Sequence, residues 1–484
     1  MREHFDVVIV GAGLSGIGAA CHLRHDRPEK SFVILESRAA IGGTWDLFRY
    51  PGIRSDSDMF TFGYAFEPWK GDKALADGPS IRSYVQETAR KHGVDAHVRF
   101  GQKVTRSSWS SADAQWTIEI TGSDGSMATI TASFLWMCTG YYRYDAGHTP
   151  EFPGRERFRG RIVHPQLWPE DLDYSGQRVV VIGSGATAVT LVPAMADRAA
   201  HVTMLQRSPS YVLSRPGTDA VASMFRRLLP ERAAYGLARW KNVALATLLY
   251  QLSRRRPEGM KRFLLGQVRR ALGPDHPVDP DFTPRYEPWD QRLCLVPDND
   301  LFKAIRSGKA EVVTDTVDSF TETGIRLGSG RELAADLVVT ATGLELLFLG
   351  GSTLVVDGEP VELAAQVTFK GFMLSGVPNC VFTVGYTNAS WTLRADLVAA
   401  HVCRLLGHMD RVGARQVTPR CDPGMEVTPL LDLSSGYVQR SSDRFPKQGT
   451  QSPWRVRQDY LTDYRVLRLG PVEDPALEFS ARGP

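Results

Sequence analysis

"FDVVIVGAGLSGIGAACHL", residues 5–23, and "RVVVIGSGATAVTLVPAM", residues 178–195, decide how this chain folds. In each, an apolar run stops on glycines and passes into small residues at helical spacing. The first places Gly11, Gly13 and Gly16 at G-x-G-x-x-G spacing; the second puts Gly183, Gly185 and Ala188 in the same places. The first glycine of such a set allows a tight turn and the second lets backbone approach a pyrophosphate. The third lets helix and strand pack closely, with the phosphates at the helix N-terminus. A lone motif of this kind often marks only a glycine-rich turn. Here strand, glycines, helix, second strand and its terminal residue follow in order, which is the pattern of a dinucleotide site.

The two second strands end differently. "SFVILE" (31–36) ends on Glu36, whose carboxylate can accept from both ribose hydroxyls and would repel a 2′-phosphate. "HVTMLQ" (201–206) ends on Gln206, with Arg207 next. A neutral side chain followed by a guanidinium suits a 2′-phosphate, the alternative being that Arg207 is a solvated strand-end charge. FAD is therefore expected at the first site and NADPH at the second.

At 484 residues the chain calls for two or three domains. Its 43% hydrophobic and 23% charged residues are those of a soluble globular protein, and a net charge of +3 gives no argument for nucleic acid. The cysteines (Cys21, Cys138, Cys294, Cys380, Cys403 and Cys421) are scattered without any C-x-x-C, the usage of reduced thiols in a cytoplasm. A pyridine nucleotide–disulfide reductase, which shares the two-dinucleotide plan, needs such a pair and is excluded. The chain enters a strand directly, so no signal peptide is expected, and no apolar run reaches the ~18 residues of a membrane span.

Residues 98–140 read as a three-stranded meander and then a buried strand ending on Cys138-Thr139-Gly140. A second alternating region, residues 311–330, precedes "ADLVVTATG" (335–343), which ends on Thr342-Gly343. The expected architecture is α/β: a flavoprotein with two Rossmann-like dinucleotide-binding domains, β-meanders and a helical insert. The boundaries are 1–145 for the first part of the FAD domain and 146–216 for a linker and the first part of the NADPH domain. The helical insert is 217–285, the rest of the NADPH domain 286–343, and residues 344–484 return to the flavin and the substrate pocket.

Two longer stretches carry a family resemblance. "FRGRIVHPQLWP" (158–169) fits the fingerprint F-x-G-x-x-x-H-x-x-x-W-[PD] at Phe158, Gly160, His164, Trp168 and Pro169. "GGTWDLFRYPGIRSD" (42–56) fits a second signature from Gly42 to Asp56. The chain thus resembles the Baeyer–Villiger monooxygenases, class B flavoprotein monooxygenases, and within them the actinobacterial ethionamide-activating subgroup. The resemblance implies that FAD, reduced by NADPH, reacts with O2 to a C4a-peroxyflavin that converts ketones to esters or lactones. Sulfoxidation or thioamide oxidation would accompany it. A related N- or S-oxygenating flavin monooxygenase is the alternative, although such enzymes usually carry Tyr or Phe where Trp168 stands.

By the same resemblance, Arg292 in "PWDQRLCL" is the active-site arginine and Asp56 its carboxylate partner. Gly43, Thr44 and Trp45 join Asp56 in cofactor binding, and Phe158, Gly160, His164 and Trp168 form a linker that responds to nicotinamide. His164 has a conformational role there. Many relatives place a lysine just before the arginine, where this chain has Gln291, so Arg207 with Ser208 carries more of the phosphate recognition. Trp391 in "NASWTL" falls where the substrate pocket is completed. Residues 221–272 hold twelve Arg and Lys against two Glu. That basic helical insert reads as a lid over the active site or as a contact with anionic membrane surfaces.

Overall fold

The computed structural model describes residues 3–431 and 433–481. β1 (His4–Val10), α1 (Leu14–Asp26) and β2 (Phe32–Leu35) follow one another as the first glycine motif requires, with β1 and β2 parallel. Gly11 turns the chain between β1 and α1 at φ +104, and a Cβ there would lie 2.7 Å from the Cys138 carbonyl oxygen. Only glycine fits that turn.

The meander consists of β3 (Gln102–Ser110), β4 (Gln115–Gly122) and β5 (Met127–Met137). It differs from the sequence reading in one respect: its third strand and the closing buried strand are a single strand. "MATITASFLWM" has no glycine or proline to break it, and its burial passes from exposed at Met127 and Ala128 to nearly continuous from Ile130 on. The first half of β5 pairs antiparallel with β4, while residues 131–137 pair parallel with β1. Trp116 and Trp136 are fully buried beside this junction.

From β5 the chain crosses through β6 (Tyr142–Gly147) to a second sheet. That sheet contains β7 (Arg161–Val163) and β8 (Arg178–Ile182), then α2 (Ala186–Met195) leads to β9 (His201–Gln206). Three basic helices follow: α3 (Ala220–Leu228), α4 (Glu231–Arg255) and α5 (Pro257–Leu272). The chain then adds β10 (Ala310–Thr314), an antiparallel meander of β11 (Val317–Phe320), β12 (Gly324–Leu327) and β13 (Glu332–Ala334), and the closing strand β14 (Leu337–Thr340). The five parallel strands run in the order β10–β9–β8–β14–β7. β8 and β14, covered on both faces, are nearly continuous Val/Leu/Ile runs, as buried parallel strands tend to be.

The return crossing is β15 (Leu344–Leu346), which pairs antiparallel with β6 through Leu344–Gly147 and Leu346–Tyr142. β16 (Thr353–Val356) then pairs with β3 and β17 (Cys380–Phe382) with β5, so the C-terminal third rejoins the first sheet. α6 (Trp391–Val412) packs along α1. The insert leans on this half as well: the buried Arg239 of α4 donates to the carbonyls of Phe60 (3.0 Å) and Gly63 (2.6 Å) and pairs with Asp396 at 3.3 Å.

Candidate active site

A single cavity of about 1110 Å³ runs between the two sheets and reaches both glycine turns. Gly11, Gly13, Glu36, Gly43, Thr44 and Trp45 line one end; Gly183, Gly185, Arg207 and Ser208 line the other. The glycines divide the work as their positions demand. A Cβ on Gly43 (φ +56) would lie 2.9 Å from Gly13 Cα, and one on Gly16 would lie 1.8 Å from the Gly11 oxygen. A Cβ on Gly183 would come within 2.3 Å of the Ala341 oxygen, whereas Gly185 has nothing within 4 Å and faces open cavity. Gly16 and Ala188, the third members, serve packing, and Ala188 is fully buried.

At the first turn Glu36 is held by two backbone amides: Ala12 N–H donates to Oε2 at 2.7 Å and Arg38 N–H to Oε1 at 2.8 Å. Both oxygens keep lone pairs for a ribose diol. At the second turn Gln206 faces the protein interior, its Nε2 donating to the Asp281 carbonyl (2.7 Å) and to Thr314 Oγ1 (2.9 Å). It thus ties the far end of the insert to β9, while Arg207 and Ser208 face the cavity. Backbone that a Cβ would fill, a pinned acid at one end and, at the other, an arginine with no ion-pair partner among the described residues fit FAD and NADP(H) respectively.

Asp56 and Arg292 meet in the wall between these ends although 236 residues separate them. Arg292 Nε lies 2.7 Å from Asp56 Oδ2 and its Nη2 donates to Oδ1 at 2.8 Å, a two-point pair that fixes the guanidinium plane. The Asp56 carboxylate pushes the Arg292 pKa further above its ordinary value, so the cation persists at any working pH. Tyr141, Tyr142 and Tyr437 surround it, each with its phenol pKa raised mainly by burial. Sequence reasoning missed these three. Tyr141 and Tyr142 directly follow the Thr139-Gly140 turn, which was a usable signal; Tyr437 lies on a four-residue helical turn with none. The segment before Tyr437 is tied to the arginine loop through Ser434, whose N–H and Oγ both donate to the Asp290 carbonyl, at 3.0 and 2.8 Å.

Trp391 lines the cavity at the start of α6, where its Nε1 donates to Ser15 Oγ at 2.7 Å and its ring lies 5.0 Å from that of Tyr141. The linker residues do not line the cavity. Phe158 is buried beside Phe320, a Cβ on Gly160 would lie 2.4 Å from the Asp336 oxygen, and Trp168 packs edge-on to Tyr174. His164 bridges the two crossings. Its Nε2 is 3.2 Å from the Gly343 carbonyl, Gln166 N–H donates to its Nδ1 at 3.2 Å, and its ring occupies the space over Gly147. Burial lowers its pKa, which leaves a neutral, hydrogen-bonded imidazole in place of a proton carrier.

Residues 74–251 match the Flavin-binding monooxygenase-like family and residues 9–70 an NAD(P)-binding Rossmann-like domain. The chain is 54% identical to the FAD-containing monooxygenase EthA of Mycobacterium tuberculosis over 484 residues, covering 100% of this chain and 99% of that one. The chain belongs to the FAD-containing monooxygenases. Among solved structures, a steroid monooxygenase bound to NADP aligns over 99% of both chains with a TM-score of 0.77 at 21% identity. A cyclohexanone monooxygenase bound to ε-caprolactone aligns over 99% of this chain and 100% of the other, with a TM-score of 0.75 at 18% identity. These structures show the two-dinucleotide fold. No helix among the described residues is long and apolar enough to cross a membrane.

Proposed function

We propose that this monooxygenase uses NADPH and O2 to convert ketones to esters or lactones, a Baeyer–Villiger oxidation. Ketone, O2, NADPH and a proton give ester, NADP⁺ and water: one oxygen atom enters between the carbonyl carbon and its migrating neighbour, and the other leaves as water. The observation that carries this reading is the Asp56–Arg292 pair, a fixed cation facing the cavity between the two dinucleotide turns. FAD, when bound, accepts hydride from NADPH and activates O2.

The chain's own residues do the rest. Glu36 and the Gly11–Gly16 turn hold the adenosine and pyrophosphate of the flavin cofactor, and Gly43, Thr44 and Trp45 line the same end beside Gly13. Gly183, Gly185, Arg207 and Ser208 hold the nicotinamide cofactor, Arg207 selecting its 2′-phosphate. Arg292 supplies a positive charge that stabilises developing negative charge without giving up a proton, because guanidinium stays charged. Asp56 aims that charge. Trp391 and Tyr437 bound the space left for substrate. The linker of Phe158, Gly160, His164 and Trp168 relays nicotinamide binding between the sheets, and the domain boundaries given above follow this division of labour. A sulfide admitted to the same space would be oxidised to a sulfoxide, which keeps N- or S-oxygenation as the alternative. A peripheral membrane contact through the basic insert completes the set of partners.

The deciding experiment mixes the purified yellow protein with NADPH without air, then admits air with a ketone or a sulfide. Bleaching, recovery of colour and one ester per NADPH support the reading. A colourless protein that takes up no FAD, or sulfoxide formed with no ester from any of a panel of linear, cyclic and aryl ketones, refutes it.

A further inference from the structure

The outward side of α4 is apolar where a surface helix should be charged. Leu237 (49% accessible), Trp240 (43%), Leu245 (39%), Leu248 (55%) and Leu252 (39%) form one stripe along it. From Asn242 to Ser253 the helix has no charged residue. On the neighbouring α3, Met224 and Leu228 are exposed as well, Leu228 at 72%. Trp240 packs at a tilt against Tyr460 and edge-on to Tyr464, and Leu461 between them is exposed, so the C-terminal segment extends the same surface. Contiguous exposed apolar surface of this kind marks an interaction site.

The charges of the three insert helices identify the occupant. Arg227, Arg232, Arg255, Arg256, Arg262 and Arg269 are all exposed. None has a carboxylate partner within salt-bridge distance among the described residues, in contrast to Arg226 with Asp72, Lys241 with Asp219 and Arg254 with Asp290. A second copy of the chain docking by two-fold symmetry would set this cationic field against itself. An anionic lipid surface complements both features: its headgroups meet the arginines and its acyl boundary receives the leucines and Trp240. At 25 residues α4 is about 37 Å long, long enough to lie flat on a bilayer.

We propose that the α3–α4 face docks on an anionic bilayer, with the stripe of α4 entering the headgroup–acyl boundary. The geometry places the active site close behind it. Val243, on the inner side of α4, packs against Tyr386, which lines the cavity. Tyr250 lies edge-on to Trp289, and Arg254 pairs at 2.9 Å with Asp290, two residues before Arg292. Docking thus rests the lipid surface on the helix that braces the arginine loop.

The test is flotation of the FAD-loaded protein with vesicles of phosphatidylcholine alone or with a third phosphatidylglycerol. Binding is expected to the anionic vesicles only. The Arg255→Gln/Arg256→Gln variant should lose roughly fivefold in affinity per charge, about twenty-fivefold in all. Leu245→Glu/Leu248→Glu, which replaces two apolar anchors with carboxylates and keeps all twelve Arg and Lys, should abolish binding. An unaltered flavin absorption spectrum shows that each variant is folded. Equal binding to neutral vesicles, or retention by the Leu→Glu variant, overturns the proposal. So does a concentration-dependent dimer that the same variant dissociates while no vesicle binds, which would make the face a contact between copies. Vesicle binding is read without turnover, so its failure leaves the monooxygenase reading standing.

Discussion

Arg292→Ala should separate oxygen consumption from product formation. Hydride transfer needs only that the nicotinamide and flavin meet, and Arg292 takes no part in either glycine turn, so anaerobic bleaching by NADPH should persist. Oxygen insertion, in contrast, builds negative charge where the two-point Asp56–Arg292 pair now fixes a cation. Removing one preorganised group of this kind costs about 3–4 kcal/mol, which is two to three orders of magnitude in ester formation. The variant also leaves Asp56 without its partner. A fully buried broken pair costs ~3–5 kcal/mol, but the side chains of Arg292 and Asp56 are 33% and 23% accessible and face the cavity, so water can hydrate the orphaned carboxylate. The protein should therefore still fold and bind FAD. The assay follows NADPH, O2, hydrogen peroxide and ester together: NADPH oxidation should continue with peroxide as the product. Asp56→Asn keeps the arginine's charge and loosens its aim, so its loss should be milder. Ester formation by Arg292→Ala at the parent rate and coupling would refute the assignment of this pair.

Gly185→Ala adds a methyl that meets no protein atom, so thermal stability should hold while KM for NADPH rises; equal KM values would remove the pyrophosphate from that turn. Arg207→Ala should lower kcat/KM for NADPH roughly ten- to a hundredfold, the ~1.5–3 kcal/mol of a charged hydrogen bond, and spare NADH; equal losses with both would show that Arg207 does not read the phosphate. Stability should peak near pH 6.5. Burial lowers His401 from 6.5 to about 3, so the unfolded chain takes up that proton first and stability falls as the solution is acidified below 6.5. For His22, burial is outweighed by the carboxylates of Asp26 and Asp396, which raise it to about 9; that contribution is complete below 6.5 and is lost as pH rises through 9. A melting temperature that keeps climbing from pH 7 to 9, or an alkaline decline unchanged in His22→Asn, would contradict this.

The glycine motifs were legible because a turn against a neighbouring strand leaves no room for a Cβ, a constraint local enough to appear as spacing. Gln206 shows where that legibility ends. Its position beside Arg207 is sequential, but its direction is set by Thr314 and Asp281, which only the fold brings near. The Asp56–Arg292 pair was reached through family resemblance, since no periodicity links residues 236 apart. Tyr437 sits in a segment with no strand or long helix to read, tied through Ser434, three residues before it, to the Asp290 carbonyl two residues from Arg292. The merged strand β5 was missed for a different reason: alternation and continuous burial look like two elements when one strand leaves a solvated meander and enters a covered sheet.

The chain passes between its two sheets twice, and the two passages, β6 and β15, are hydrogen-bonded to each other. Two separate tethers would let the halves slide, twist and part. A ribbon of two laced strands favours a swing about its own axis, as in a door with a single pin, and α4, buried against the first half through Arg239, braces that swing. Any rearrangement of the nicotinamide half against the flavin half is then an angle, and the imidazole of His164 lies against the ribbon that carries it, over Gly147 where a Cβ would sit 2.0 Å from Cε1.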